Sequence, residues 1–168
     1  MQYFKNLKSP GDIKAEYRRL ALKNHPDMGG DTVTMQEINA QYLTALKSID
    51  GMTINYVDHD TKENVEYVYN YRETNEQAVI DIIDKLIGLQ MVDVDIYIVG
   101  VWVWVSGETK PHKDHLKALK LRWHSKRMKW YFKPYQGRTH YSNKSFDSLL
   151  YAYGGGKVPE RQDKVLSA

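Results

Sequence analysis

Two sets of residues in this 168-residue chain have types and spacings that could do chemistry. The first is His25-Pro26-Asp27, which closes a helix-like stretch ending near Asn24 and is followed by Gly29-Gly30. Histidine offers a donor or an acceptor, aspartate offers an acceptor, and proline holds them rigidly outside the helix. The stretch before it carries Lys14, Arg18, Arg19 and Lys23 around the apolar positions Ile13, Tyr17 and Leu20. The plainer reading is a helix terminator beside a solvated face.

The second set lies near the C-terminus, where aromatics interleave with Lys and Arg. Bases stack on rings and phosphates meet cations, so this composition fits single-stranded nucleic acid. The phosphate candidates are Lys110, Lys113, Lys117, Lys120, Arg122, Lys126, Arg127, Lys129 and Lys133; the stacking candidates are Trp102, Trp104, Trp123, Trp130 and Tyr131. Lys110, Lys113, Lys117 and Lys120 fall at steps of three and four, one stripe of a helix. The tryptophans have a competing role as the core of a small module otherwise poor in apolar residues. His112, His115, His124 and His140 lack a well-placed acid or cysteine to complete a metal site, so no metal is expected. There is no Gly-rich phosphate loop, no Gly-x-Ser-x-Gly elbow and no paired-acid motif, so neither a cofactor nor catalysis is expected.

Charge is distributed in blocks. Basic against acidic residues number 7 to 6 over residues 1–51, 3 to 10 over 52–99, 11 to 3 over 100–150 and 3 to 2 over 151–168. Either the acidic and basic blocks face each other, or the basic block faces an anionic partner. The absence of cysteine excludes disulfides, thiolate zinc sites and cysteine nucleophiles. No uncharged apolar stretch approaches a membrane span, and a cytoplasmic protein with no membrane contact is expected.

The elements that must position these groups follow from periodicity. Asp12 can cap a first helix, and Pro26 pushes His25 out of the α region, so that helix stops at about Asn24. Asp31 or Thr32 can cap a second, on which Met35, Ile38, Tyr42, Ala45 and Ile49 form one buried stripe. Two antiparallel helices joined by an exposed loop result. The β-forming runs 53–57 and 65–69 predict a hairpin or a pair of extended arms. Thr74 and Gln77 match a capping box for a third helix, with Ala78, Ile82, Ile83, Leu86 and Ile87 apolar, ending near Gly88. Alternation over residues 92–107 is interrupted at Gly100, which either breaks it into two strands or forms a bulge; residues 109–120 read as helix, 121–134 as a hairpin and 145–153 as a last short helix.

The stretch YFKNLKSPGDIKAEYRRLALKNHPDMGGD, with MQEINAQYLTAL beyond it, closely resembles the J-domain of the DnaJ co-chaperone family. The resemblance covers residues 3 to about 49. It implies that the chain recruits a DnaK-type chaperone ATPase and stimulates its ATP hydrolysis, with no activity of its own. Carried over, the docking residues are His25, Pro26 and Asp27, with Lys14, Tyr17, Arg18, Arg19 and Lys23 on the preceding helix. Cations on such a face suit an acidic docking surface. Met28 stands where the family usually has a basic residue. The stretch VWVWVSGETKPHKDHLKALKLRWHSKRMKWYF resembles the tryptophan-rich C-terminal module of small J-proteins of phages and mobile elements.

The expectation is an α+β protein: a J-like helical hairpin over residues 1–51, an extended or hairpin connector over 52–73, a C-terminal module with an antiparallel sheet and flanking helices over 74–153, and a flexible tail over 154–168. The hairpin would dock the chaperone and the basic module would select a client, nucleic acid or nucleoprotein. The alternative is a nucleic-acid-binding or anti-defence accessory protein of a mobile element, its J-like hairpin reduced to a scaffold.

Overall fold

The computed structural model describes residues 2–58, 60–135, 142–153 and 156–157, and it is α+β. Helix α1 (Pro10–Asn24) begins one turn earlier than Asp12 would cap it. Ser9 is the cap: its Oγ accepts the Asp12 N–H at 3.0 Å and donates to the Asp12 carboxylate at 2.7 Å. Pro10 sits at the first helical position, where a missing N–H costs nothing. Helix α2 (Thr32–Ser48) is capped by Asp31, whose carboxylate accepts from the Thr34 N–H, and all five residues of its stripe are buried.

Of the two arrangements expected for the next runs, the hairpin forms, from β1 (Thr53–Val57) and β2 (Asn64–Val68), paired antiparallel. Helix α3 (Glu73–Gly88) does not use the Thr74 and Gln77 box; Arg72 stands at its cap without a side-chain bond, and Gln77 donates to Asp81 instead. Glu73 and Glu76 occupy its first turn, where negative charge complements the helix dipole. Its buried face adds Glu76, Val79 and Ile80 to the expected residues, while Ala78 is only half-buried.

A five-stranded antiparallel sheet follows, in the order β5-β6-β4-β3-β7. Strands β3 (Val94–Val99) and β4 (Trp102–Gly107) are joined by Gly100 and Val101, with Gly100 in the left-handed region (φ +60°) that such a tight connection favours. The expected helix over 109–120 is shorter, a 3₁₀ turn (Lys110–His112) leading into α4 (Lys113–Ala118). Strands β5 (Arg122–His124) and β6 (Lys129–Phe132) make the second hairpin, and α5 (Phe146–Ala152) is capped by Ser145. Within the segment expected as a tail, Gly156–Lys157 forms β7 against β3; residues 154–155 and 158–168 lie outside the described residues.

Alternation gives the sheet two different faces. Ile96, Ile98, Val103, Val105 and Trp130 join the apolar faces of α1, α2 and α3 in one core that runs from Phe4 to Trp130. The opposite face carries Tyr97, Val99, Trp102, Trp104 and Tyr131, packed by Phe146, Leu149 and Leu150 of α5. Polar contacts fasten α5 to the β1–β2 hairpin: Lys144 pairs with the buried Asp58, the Ser148 hydroxyl donates to Asp58 at 3.2 Å, and Asp60 accepts the Ser145 N–H at 2.9 Å.

Candidate functional site

The loop after α1 is built by backbone constraints. His25 is extended (φ −64°, ψ 132°), as a residue before proline must be, and Pro26–Met28 forms a 3₁₀ turn. The His25 carbonyl accepts the N–H groups of Met28 and Gly30, each at 2.9 Å. The two glycines have separate reasons. Gly29 adopts φ +82°, whereas at Gly30 a Cβ would lie 2.1 Å from the Asn24 carbonyl oxygen. The His25 Nδ1 accepts the Asp27 N–H at 3.2 Å, so Nε2 is the ring nitrogen left to donate. His25 is buried, and Pro26 and Asp27 are exposed.

The end of α3 walls one side of this loop. Gln90 Nε2 donates to the Asp27 carbonyl at 3.1 Å, and a Cβ on Gly88 would come 2.6 Å from the Asp27 carboxylate. Asp84 on the same helix is partly buried with Oδ1 unpartnered; burial raises its pKa, and His25 works in the opposite direction.

The basic residues of α1 divide into two groups. Lys14 is 1% exposed and inserted between elements: its Nζ donates to the Gly100 carbonyl at 2.8 Å and lies 3.4 Å from Glu76. Glu76 also accepts from the Tyr42 hydroxyl at 3.1 Å and the Tyr69 hydroxyl at 3.2 Å. Burial draws the Lys14 ammonium down from its ordinary value, and Glu76 resists. Burial, with Glu76 adding to it, raises both phenols, so they remain donors. Tyr17 stacks on Tyr42 with ring centroids 4.1 Å apart. Arg18 is buried with Nη1 unpartnered, and burial draws its guanidinium down to about 10. Arg19 and Lys23 form the exposed group, Arg19 making a two-pronged bond to Glu16 at 2.9 and 2.6 Å. Lys14, Tyr17 and Arg18 are therefore internal in this structure, and the exposed edge is Arg19, Lys23, Pro26 and Asp27.

The C-terminal candidates divide as well. Lys110, Lys113, Lys117, Lys120, Arg122 and Lys126 are exposed. Arg127 lies over the Trp104 ring and donates to the carbonyls of Ser142 and Lys144, and Lys129 sits 4.9 Å above the Phe146 ring, so both serve the module's own packing. Trp104 and Trp130 are buried; Trp123 is 45% exposed and meets Trp130 edge-on. Trp102 stacks against Trp104 and Tyr131. His140 lies outside the described residues. Among the described residues no group of three or more His, Asp or Glu side chains is placed to hold a metal ion, and no helix is long and apolar enough to cross a membrane.

The sequence assigns no site role to Glu76, Asp58 or the Gly100 carbonyl; Gly100 reads there only as a break in a strand. Glu76 alone had a local signal, an acid in register with Val79, Ile80, Ile83 and Ile87 on an apolar helix face.

No family model matches the chain, and no solved structure matches it. Short stretches do match curated proteins. The chain is 50% identical over 34 residues to DnaJ protein homologs 1 and 2 of Allium porrum, covering 20% of this chain and 9% and 8% of those proteins. It is 64% identical over 28 residues to the small t antigen of Budgerigar fledgling disease virus, covering 17% of this chain and 19% of that protein. The chain thus spans under a tenth of the DnaJ relatives and about a fifth of the viral one. These local similarities support a J-type segment within the chain, at the level of that segment alone.

Proposed function

We propose that this protein is a J-type co-chaperone. The loop at residues 25–27 recruits a DnaK-type chaperone ATPase and stimulates its ATP hydrolysis, and the chain itself performs no catalysis. The observation that carries this reading is the loop: a ring nitrogen of His25 tied to the Asp27 amide holds Pro26 and Asp27 at the surface, beside exposed Arg19 and Lys23. Docking uses this edge, while Lys14, Tyr17 and Arg18 act from inside by holding α1 in place. The C-terminal module then brings the client, a nucleic acid or nucleoprotein.

The test is single-turnover ATP hydrolysis by a bacterial DnaK-type chaperone with the parent protein or its His25→Gln variant. Stimulation by the parent and loss of it in a folded variant is the expected result. Equal rates with both would remove the co-chaperone reading.

A second reading has its own support. The end of α3 covers one side of the loop, and Lys14 and Arg18 are engaged internally, as a hairpin kept only as scaffold would show. The protein would then be a nucleic-acid-binding accessory. Loss of cellular function in Lys113→Glu with Lys117→Glu, and none in His25→Gln, selects that reading.

A further inference from the structure

At the open end of the β5–β6 hairpin lies a cavity of about 300 Å³, at the lower end of the range for small-molecule sites. Its lining includes Lys120, Arg122 and Lys133 and the aromatic residues Tyr131, Phe132 and Tyr135, and no acidic side chain is in it among the described residues. Arg122 stands directly across the strand pair from Tyr131. The aromatic wall is held in place beforehand. Tyr131 stacks on Trp102 with centroids 5.5 Å apart, the Trp102 indole N–H donates to the Tyr135 hydroxyl at 3.1 Å, and the Lys133 ammonium lies 5.4 Å from the Tyr135 ring centre.

Lys120 adds an independent observation. It follows α4 in the left-handed region (φ +63°), its N–H bonding to the Lys117 carbonyl and the next N–H, of Leu121, to Leu116. That is the helix ending for which glycine is strongly preferred, because a Cβ strains it. Backbone geometry thus gives no reason for a lysine here, and Lys120 is one of the residues that line the cavity. Cations and aromatic residues around a space of this size match a phosphate joined to a flat, stackable group, the repeating unit of a nucleic-acid strand. Lys113 and Lys117, on α4 just before Lys120, are exposed as well.

We propose that this cavity holds one nucleotide unit of a single-stranded nucleic acid, its phosphate between Lys120 and Arg122 and its base against the Tyr131 and Tyr135 rings. The proposal rests on the nucleic-acid reading of the basic module and gives it a site.

The experiment is fluorescence anisotropy with a labelled oligothymidylate of about 12 nucleotides, over a salt series, using the full chain. The parent binds, more weakly as salt rises. Lys120→Gly relieves the strained backbone, so its melting temperature holds or rises, while its salt slope falls by about 0.7 for the lost phosphate contact. Tyr135→Leu weakens binding by about fivefold or more, and Tyr135→Phe, which keeps the ring, restores it. If the parent binds and the Lys120→Gly and Tyr135→Leu variants bind equally well, the cavity is not the site and the nucleic-acid reading survives without it. If the parent shows no salt-sensitive binding at low salt, both are overturned. Competition by thymidine monophosphate at the same affinity would make the cavity a free-nucleotide site, and equal competition by polyglutamate would make it a plain anion site; either result overturns the proposal.

Discussion

Helix α1 and the α4–β6 region carry similar runs of lysine and arginine, and the fold treats them in opposite ways. In α1 two of the four cations are taken inside: α3 and the β3–β4 turn bring a carboxylate and a carbonyl to meet Lys14, whereas Arg18 is buried with Nη1 unpartnered. Around α4 nothing comparable packs over the stripe. Among the described residues Lys110, Lys113, Lys117 and Lys126 form no ion pair, and the bridge from the basic block to the acidic one is Lys144 to Asp58. Of the sequence-level alternatives for the charge blocks, their facing each other is seen at this bridge. A cation on a helix is taken inside where a neighbouring element packs over its face and stays exposed where none does.

The strongest test of this contrast removes the counter-charge. Glu76→Ala leaves Lys14 buried with the Gly100 carbonyl as its remaining partner and strips both tyrosine hydroxyls of their acceptor. A loss of about 3–5 kcal/mol in urea unfolding is expected. Lys14→Met keeps the volume and leaves Glu76 its two phenol donors, so it costs less and retains stimulation of the chaperone ATPase. A folded Lys14→Met protein that failed to stimulate would return Lys14 to the docking face.

An intermediate effect is expected at Asp58. Lys144 and then the Thr61 amide hold its carboxyl well below the usual carboxylate range. A group with a depressed folded pKa stabilises above its unfolded value, near 3.9, and loses that contribution as pH falls through the folded one. The stability advantage of the parent over Asp58→Asn should therefore be full at neutral pH and shrink in acid, as read from urea midpoints across the pH range. A difference that stayed constant, or grew on acidification, would remove the assigned role of the Lys144 pair.

The smallest effects belong to the exposed cations of both regions. Arg19→Ala loses one surface pair with Glu16, about 0.3–0.5 kcal/mol, and the double change Lys113→Glu with Lys117→Glu stays within about 0.5 kcal/mol. Their signature is in association. Arg19→Ala slows encounter with the chaperone in a salt-dependent way, as measured by stopped flow, and the lysine changes leave that rate alone. Equal slowing by both would erase the distinction between the two regions.

How legible these features were depended on how local their causes are. The loop, the α2 stripe and the break at Gly100 rest on proline geometry, helical period and strand alternation, and all three can be read within a few residues. The start of α1 was misplaced because Ser9 with Pro10 outcompetes Asp12 for the cap, and that of α3 because the Thr74 box falls inside the helix. The burial of Lys14 and Arg18 was hidden for a different reason. Helical spacing says which residues share a face, but only the tertiary fold says what covers it. The cavity beside β6 likewise depends on which strand positions stand opposite each other, and a single strand's pattern carries no such information.

The Lys14 contacts also bear on exchange of parts between proteins. The hairpin of α1 and α2 looks like a cassette that could be swapped for a related one. Yet the polar plug that seats it is completed by Glu76 and by the carbonyl of Gly100, both outside the cassette. A chimera would need to carry those two acceptors with it, or give up the lysine that requires them.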